Sequence, residues 1–199
     1  MGVFQSAIRF AVDAHGEAMR KGEATPAIVH AMEAAAIAAT LTDDAETLAA
    51  AVLHDVVEDA GVTATEIRER FGERVAALVL AETEDKREGV APEKTWRERK
   101  QESLDVLHAA TDPAVAIVFL GDKLSNMRSL YRLRLRRGEA MWDCFHQTDP
   151  QQHRWYYGAI ADALAPLADT PAFAEYTHLI DLVFEQPGAP QARASATDE

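Results

Sequence analysis

The feature that most constrains this chain is its lack of strand patterning: no run of β-branched residues alternates convincingly with polar ones. Ala, Leu, Glu and Arg are abundant and only 10 of the 199 residues are glycine, a composition that favours helix almost throughout. The segment Ala114–Leu120 has the composition of a buried strand, but it continues without a break into a helix-favouring segment. We therefore expect an all-α fold, a single bundle of about eight to ten helices.

Residues that begin and end helices support most of the predicted boundaries. Gly22 is typical of a helix end, Pro26 of a first turn, and Thr63 with Glu66 three positions later of a capping box. The predicted helices cover about residues 3–20, 26–41, 44–59, 64–71, 73–84, 95–109, 113–137, 150–168 and 172–184. The segment 85–94 predicts a mobile loop and the tail 187–199 predicts disorder, which leaves residues 1–186 as one domain.

The charge of the chain restricts its partners. With 33 acidic and 20 basic residues the net charge is −13, so the surface as a whole repels nucleic acid and anionic membranes. No stretch approaches the ~20 apolar residues of a membrane span, and the N-terminus lacks the pattern of a secretory signal. The single cysteine, Cys144, excludes a disulfide framework and fits a reducing compartment. We expect a cytoplasmic protein without nucleic-acid or membrane partners; the sequence leaves its oligomeric state open.

The stretch AAAVLHDVVEDAG, residues 49–61, carries the main functional signal. A helix-forming apolar run ends in four ionisable residues, and charged groups so near a core need pairing, neutralisation or a metal. Side chains four apart share a helix face, so His54 lies beside Glu58 and Asp55 beside Asp59. The stretch contains no basic partner, and acidic residues at a helix C-terminus oppose the helix dipole. Solvation of Glu58 and Asp59 is the alternative, but a bound cation explains the cluster better.

Further ligands for such a cation must come from other segments. His30 and Asp122 stand on predicted helices between apolar residues, where a polar side chain is costly. Taken singly, a histidine such as His30 is more often a core residue whose hydrogen bonds are made within the protein. An aspartate such as Asp122, which precedes Lys123, is more often part of a salt bridge. Together with His54 and Asp55 they give two imidazoles and two carboxylates, a set that suits Mn²⁺, Fe²⁺ or Zn²⁺ with positions open to substrate.

The flanking sequence resembles the hydrolase domain of RelA/SpoT-type alarmone enzymes, which are HD-domain metal-dependent phosphohydrolases. The resemblance runs in order from Phe4 to Leu133, and HDVVED is its most specific block. The matching blocks are FAVDAHGEAMRKGEATPAIVHAMEAAAIAATL, DAETLAAAVLHDVVEDAGVTATEIRERFGERVAALV and GDKLSNMRSL. Since the chain is too short to hold a synthetase domain, we expect a single-domain small alarmone hydrolase, similar to the metazoan SpoT homologues.

The resemblance implies a helical fold and hydrolysis of the 3′-pyrophosphate of guanosine tetra- or pentaphosphate, giving GDP or GTP and pyrophosphate. It implies a Mn²⁺ site and assigns its ligands to His30, His54, Asp55 and Asp122. A metal at such a site lowers the pKa of bound water and so supplies hydroxide near neutral pH. The partner implied is therefore a small nucleotide.

The resemblance also assigns residues to proton transfer and to substrate binding. Glu58 and Asp59 match the acidic pair beside the metal, and Glu58 is placed to take a proton from water and return one to the leaving oxygen. Arg20 and Lys21 match the basic pair that meets the nucleotide, although cations also favour helix C-termini for structural reasons. The nucleoside pocket is assigned to Asn126, one helix turn from Asp122, and to Ser129.

Several positions depart from the family pattern. Ala27 and Ala31 replace an aromatic residue and a proline, and Phe119 stands where a lysine is common. Ser125 replaces an aromatic residue or histidine before Asn126, which leaves recognition of the base open. An adenosine 3′-pyrophosphate, a 2′-phosphorylated dinucleotide such as NADPH and a 5′-nucleotide therefore remain alternative substrates, and a non-catalytic nucleotide sensor is a further alternative.

Two other groups of residues are interpreted as structural. His15, within the family block AHG, has no acidic residue four positions later. The aromatic residues Trp155, Tyr156 and Tyr157 lie on an amphipathic helix and are interpreted mainly as core.

Overall fold

The computed structural model describes residues 2–20, 22, 24–87 and 89–184. Within these ranges it contains ten α-helices and no strand, which confirms the predicted all-α fold. The helices are α1 Val3–His15, α2 Ala27–Ala38, α3 Ala45–Leu53, α4 Val56–Asp59, α5 Ala64–Phe71, α6 Glu73–Glu82, α7 Pro92–Ala109, α8 Ala114–Arg137, α9 Pro150–Ala163 and α10 Pro171–Phe184. Two short 3₁₀ helices, Gly138–Cys144 and Ala165–Leu167, flank α9. The predicted disordered tail 187–199 lies outside the described residues.

Side-chain caps and one arginine fix where several helices begin. Asp44 accepts hydrogen bonds from the backbone N–H groups at the start of α3, and the Thr63 hydroxyl accepts one from Glu66 at the start of α5. Arg74 on α6 pairs with Asp44 at 2.5 Å and with Asp112 before α8 at 2.9 Å. The starts of α3 and α8 are therefore held to α6 by one guanidinium.

The first helix ends earlier than predicted. Gly16, with φ +50°, donates its N–H to the Val12 carbonyl and closes α1 at His15, whereas the prediction continued to residue 20. A glycine takes this positive φ without strain, so Gly16 ends the helix before Gly22 is reached. The following segment returns through a bridge between Met19 and Pro26. This connection places Arg20 near α8; Lys21 lies outside the described residues.

Small residues allow the central helices to approach closely. Helix α8 packs against α2, α3, α6 and α10, and its face toward α2 includes Gly121. A Cβ atom built at Gly121 would stand 2.7 Å from the backbone carbonyl oxygen of Ala34. Only glycine permits this spacing, and the spacing brings α2 and α8 together beside the predicted ligands His30 and Asp122.

Substitution of Gly121 by alanine is expected to destabilise the protein by about 1–3 kcal/mol, because the methyl group forces α2 and α8 apart. The matched control is Gly158→Ala in α9, where nothing lies within 4 Å of the added carbon. That control should be neutral or gain up to about 1 kcal/mol from helix propensity. Urea denaturation followed by circular dichroism measures both, and a Gly121→Ala variant as stable as wild type would show that the helices accommodate the methyl group.

Helices α9 and α10 complete the core on the far side of α8. Tyr156 and Tyr157 are buried as predicted, whereas Trp155 is half-buried and lies against the Arg97 guanidinium. Tyr176 on α10 donates its hydroxyl hydrogen to the Tyr157 carbonyl at 2.9 Å. None of the described helices is both long enough and apolar enough to cross a membrane.

Candidate metal centre and acid pair

Three buried side chains from different helices converge at one point. His30 comes from α2, His54 from the end of α3 and Asp122 from α8, and one potential ligand atom of each lies within 4.8 Å of the others. His30 Nε2 is 2.9 Å from Asp122 Oδ1 and 3.1 Å from His54 Nε2. The three residues are 95–98% buried, so the cluster lies inside the bundle.

Asp55 adds a second carboxylate on the solvent side of this cluster. Its Oδ2 is 3.2 Å from His54 Nε2 and 3.6 Å from His30 Nε2, and its side chain is 25% exposed. Burial opposes ionisation, but the neighbouring His54 outweighs it and holds the pKa of the Asp55 carboxyl below its usual value. The structure thus brings together all four residues that the sequence predicts as metal ligands.

A break in the helix sets the orientation of His54. The prediction of one helix over residues 44–59 is wrong in detail, because α3 ends at Leu53 and α4 begins at Val56. His54 Nδ1 bonds the Ala51 carbonyl at 2.9 Å, a side-chain bond that competes with the helix ladder. Since Nδ1 must carry the hydrogen in this bond, the Nε2 lone pair faces the cluster.

His30 is oriented by a chain of two polar residues. Its Nδ1 lies 2.8 Å from Ser125 Oγ, and that hydroxyl donates to Glu33 Oε2 at 2.6 Å. The hydroxyl hydrogen is used by Glu33, so Ser125 accepts from His30 Nδ1–H and leaves the Nε2 lone pair toward Asp122. This arrangement is typical of metal-bound histidines, whose second nitrogen donates to an outer partner. Ser125, a departure from the family pattern, therefore has a structural use beside the centre.

The charges of the cluster favour a cation. Burial lowers the pKa of His30, whereas for His54 the carboxylates of Asp55 and Asp122 outweigh burial and raise the pKa. Two imidazole lone pairs and two carboxylates directed at one point repel one another unless a proton or a metal lies between them. The donor set fits a divalent metal ion with mixed nitrogen and oxygen ligands.

Lys123 holds the far oxygen of Asp122. Its ammonium group contacts Asp122 Oδ2 and lies 3.0 Å from Glu82 Oε2, and all three side chains are buried. Burial raises the pKa of Glu82 to about 7, while the Lys123 charge outweighs burial and keeps the pKa of Asp122 well below its usual value. Asp122 Oδ1 is thereby left to face the two histidines. Asp122 therefore forms the salt bridge with Lys123 and also faces the two histidines, so the two alternatives weighed from the sequence do not exclude each other.

The acidic residues of α4 stand next to this centre. The Glu58 side chain is 19% exposed, and its Oε2 accepts a hydrogen bond of 3.1 Å from the Glu84 backbone N–H. Burial raises the pKa of Glu58, and the negative charges of Glu84 and Asp55 add to the effect. Asp59 is half-exposed and contacts Lys86. The pair thus includes one carboxyl whose pKa is moved toward neutrality, as a general base requires.

Comparison with known proteins identifies the family. A family model described as HD domain matches residues 7–143. The chain belongs to the HD-domain family.

Sequence relatives of this HD-domain chain place it near the alarmone enzymes. A guanosine-3′,5′-bis(diphosphate) 3′-pyrophosphohydrolase of Aquifex aeolicus (strain VF5) is 42% identical over 131 residues, which are 65% of this chain and 18% of that protein. The bifunctional (p)ppGpp synthase/hydrolase SpoT of Escherichia coli (strain K12) is 35% identical over 130 residues, 61% of this chain and 17% of SpoT. The predicted resemblance is confirmed, although the chain spans less than a fifth of the length of these curated relatives.

Solved structures match over more of the HD-domain chain. The structure of lmo0812 from Listeria monocytogenes EGD-e gives a TM-score of 0.67 at 28% identity and covers 79% of this chain and 99% of that one. A metazoan orthologue of SpoT, described as hydrolysing ppGpp and acting in starvation responses, gives 0.69 at 24% identity. That match covers 94% of this chain and 97% of the orthologue, so the two share a fold over nearly their whole lengths.

The predicted substrate-binding residues of the HD domain fall into two groups. Arg20 Nη2 donates to Asn126 Oδ1 at 2.5 Å, and Asn126 Nδ2 donates to Asp122 Oδ1 at 2.6 Å. These residues therefore line one continuous site with the cluster. Ser129 instead accepts a hydrogen bond from Arg132 at 2.8 Å, so its described contact leads away from the cluster.

His15 lies near the cluster of predicted metal ligands, which its sequence context does not indicate. It is 94% buried at the end of α1, burial lowers its pKa, and the charged residues that act on it include Asp55, His54 and Asp59. None of the described residues bonds its buried Nε2. From the sequence, His15 was interpreted as structural because no acidic residue follows four positions later. That criterion cannot detect neighbours contributed by other helices.

Proposed function

We propose that this HD-domain protein hydrolyses the 3′-pyrophosphate of guanosine tetra- and pentaphosphate, releasing GDP or GTP and pyrophosphate. The observation that carries the proposal is the convergence of His30, His54, Asp55 and Asp122, with the partly buried Glu58 on the adjoining helix α4. The names of the curated relatives support the same reaction. Arg20, which reaches the site through Asn126, supplies positive charge in a protein of net charge −13.

The four converging residues are the proposed ligands of a divalent ion. We assign this ion as Mn²⁺; Fe²⁺ and Zn²⁺ suit the same nitrogen and oxygen donors. When bound, the ion supplies an activated water and offsets charge on the phosphates. Ser125 and Lys123 hold His30 and Asp122 in place from outside this ligand set.

Glu58 is the proposed proton carrier. Its carboxylate takes a proton from the water that attacks the inner phosphorus of the 3′-pyrophosphate, and the ribose 3′-oxygen leaves with that proton as the bond to phosphorus breaks. The raised pKa of Glu58 suits both transfers, because burial and the neighbouring carboxylates make the group a stronger proton acceptor than an ordinary glutamate. Asp59 shares or supports this role from the next position on α4.

Nucleotide binding is assigned to the basic and polar residues at the rim. Arg20 and Lys21 are proposed to pair with the phosphates, as cations that match the family's basic pair. Asn126 addresses the sugar or base without adding charge, and Ser129, one turn further along α8, completes this set. Because residue 125 is a serine bonded to His30, it offers no aromatic ring for stacking on the base beside Asn126, and a substrate panel must therefore measure base selectivity.

A direct assay decides the function. Purified protein is incubated with guanosine tetraphosphate and Mn²⁺, Fe²⁺ or Zn²⁺, and the products are resolved by ion exchange. We expect GDP and pyrophosphate in equal amounts, and no products after treatment with a chelator. The same assay on adenosine 3′-pyrophosphates, NADPH and 5′-nucleotides tests the alternatives. Turnover of NADPH or a 5′-nucleotide alone, with none of guanosine tetraphosphate at any metal, would replace the proposed substrate; nucleotide binding without turnover of any substrate would indicate a sensor.

A further inference from the structure

The segment Thr83–Arg87, which follows α6, places a lysine on the acid pair. Lys86 Nζ contacts Asp59 Oδ1 and lies 3.6 Å from Glu58 Oε1. The same segment supplies the Glu84 N–H that bonds Glu58 Oε2 at 3.1 Å. Each Glu58 oxygen therefore faces a donor from this one segment, and Asp59 is joined to it through Lys86.

The segment is fixed to α7 on both sides of Lys86. The Glu84 side chain is 8% exposed and pairs with Arg99 at 2.7 Å and with Lys100. Arg87 pairs with Glu102 at 2.5 Å and with Glu98. These pairs hold residues 84 and 87 against α7. Lys86 is the cation between them that points the other way, to α4.

The backbone conformation of Arg87 also indicates that this segment is held in place against α7. Its φ of +52° is the one positive value among the described residues other than glycine. Such a conformation is uncommon for a long side chain and persists where the surroundings determine it. Here the two glutamates of α7 hold the Arg87 side chain while the chain turns, and this turn follows directly on Lys86.

Charge explains why a cation is needed at this point. Glu58 is surrounded by the carboxylates of Glu84, Asp55 and Asp59, all of which oppose its ionisation. Within the described part of the chain, the ion pairs that Glu58 and Asp59 form are both with Lys86. A phosphorylated substrate brings further negative charge to the same place. A fixed ammonium group counters the repulsion and keeps both carboxylates in one arrangement.

We propose that Lys86 is a positioning residue, which fixes the Glu58–Asp59 pair for proton transfer and makes the segment after α6 part of the active site. The proposal rests on the proposed function, in that Glu58 must be the group that moves the proton. Lys86 and Asp59 are half-exposed, with 47% and 52% of their side chains accessible, but Lys86 also faces Glu58, so its removal should change the rate, whereas removal of an ordinary surface ion pair changes little. The proposed role differs from a phosphate-binding role, which would act on substrate affinity rather than on the rate of the chemical step.

Kinetics of three variants test the proposal. Lys86→Met is expected to lower kcat by about 10- to 100-fold, the cost of misplacing a catalytic group by about 1 Å, with KM changed less than about twofold. Lys86→Arg should recover most of the loss, because it restores the charge. The matched control is Lys94→Met on the exposed side of α7, which changes net charge equally and should behave as wild type. An unchanged kcat in Lys86→Met would overturn the proposal, and so would a raised KM at unchanged kcat.

A second measurement does not depend on activity. In crystals of chelator-treated protein, Glu58 and Asp59 should each occupy one rotamer in wild type and in Lys86→Arg but several in Lys86→Met. Identical, single rotamers in all three proteins would overturn the positioning role. If wild type does not hydrolyse guanosine tetraphosphate, the proposed substrate fails, whereas this comparison still decides the role of Lys86.

Discussion

Replacement of His54 by alanine is expected to abolish both metal binding and hydrolysis. The imidazole is 98% buried and its Nε2 lies within 3.5 Å of His30, Asp55 and Asp122 atoms. Loss of an outer partner of a metal ligand costs about 10- to 100-fold in affinity, so loss of the ligand itself should cost at least about 100-fold. Metal content measured by mass spectrometry and turnover measured by ion exchange should fall together.

Two further variants separate the loss of a metal ligand from the general effect of replacing a side chain. His178→Ala removes an exposed histidine of α10 and should leave metal content and turnover unchanged. Ser125→Ala removes the partner of His30 Nδ1 and should weaken metal binding by about 10- to 100-fold while the ligands remain. Circular dichroism establishes that each variant is folded. A folded His54→Ala protein with a full complement of metal would remove His54 from the ligand set.

The sequence predicted which four residues come together, because each lies on or beside a segment whose helical character is local; their role as metal ligands stays a prediction. His54-Asp55 follows an apolar run, and His30 and Asp122 are flanked by apolar residues that bury a helix face. Polar side chains on three such buried segments were expected to meet at one site. In the structure, one potential ligand atom of each of His30, His54 and Asp122 lies within 4.8 Å of the others. The helix break at His54 was not predictable in the same way, because it accompanies a side-chain bond to Ala51 that depends on the rotamer of His54.

The contacts that Ser125 and Lys123 make with Glu33 and Glu82 were not predicted, because these partners are remote in sequence. Ser125 lies 92 positions from Glu33, and Lys123 lies 41 from Glu82. Neither spacing leaves a periodic signal, since helix patterns report only on neighbours three and four positions away. Residues 85–94 were predicted as a mobile loop from their Gly, Pro and charges, yet in the structure Arg87 of this stretch forms ion pairs with Glu98 and Glu102 of α7. Composition records how many charges a segment has but not where their partners are.

Substitution of Glu58 by glutamine is expected to lower turnover by about 10²- to 10⁴-fold, the usual contribution of a general acid–base group, and to leave metal content unchanged. Glutamine keeps the size of the side chain and still accepts the hydrogen bond from the Glu84 N–H, but it cannot take a proton from water. Glu69→Gln on the exposed face of α5 changes net charge equally and is the matched control. A Glu58→Gln enzyme with full activity would show that another group moves the proton.

The same variant should be more stable than wild type at neutral pH when the metal has been removed by a chelator. Burial, with the charges of Glu84 and Asp55, raises the pKa of Glu58 in the folded protein above its ordinary value of 4.5. Between these two pKa values the folded state binds more protons than the unfolded state, so ionisation of Glu58 lowers the free energy of unfolding as pH rises.

Glutamine does not ionise, and therefore it avoids this cost. The free energies of unfolding of wild type and Glu58→Gln should be similar below pH 4.5, separate as pH rises, and differ by a constant amount above the folded-state pKa. We expect a gain of about 0.5–2 kcal/mol, the usual size for one stabilising substitution. Urea denaturation over a pH series measures it, with Glu69→Gln as reference. A gain that is equal at all pH values would mean that the Glu58 charge is not its source, and a loss at neutral pH would mean that the contact with Lys86 outweighs the cost of burying the carboxylate.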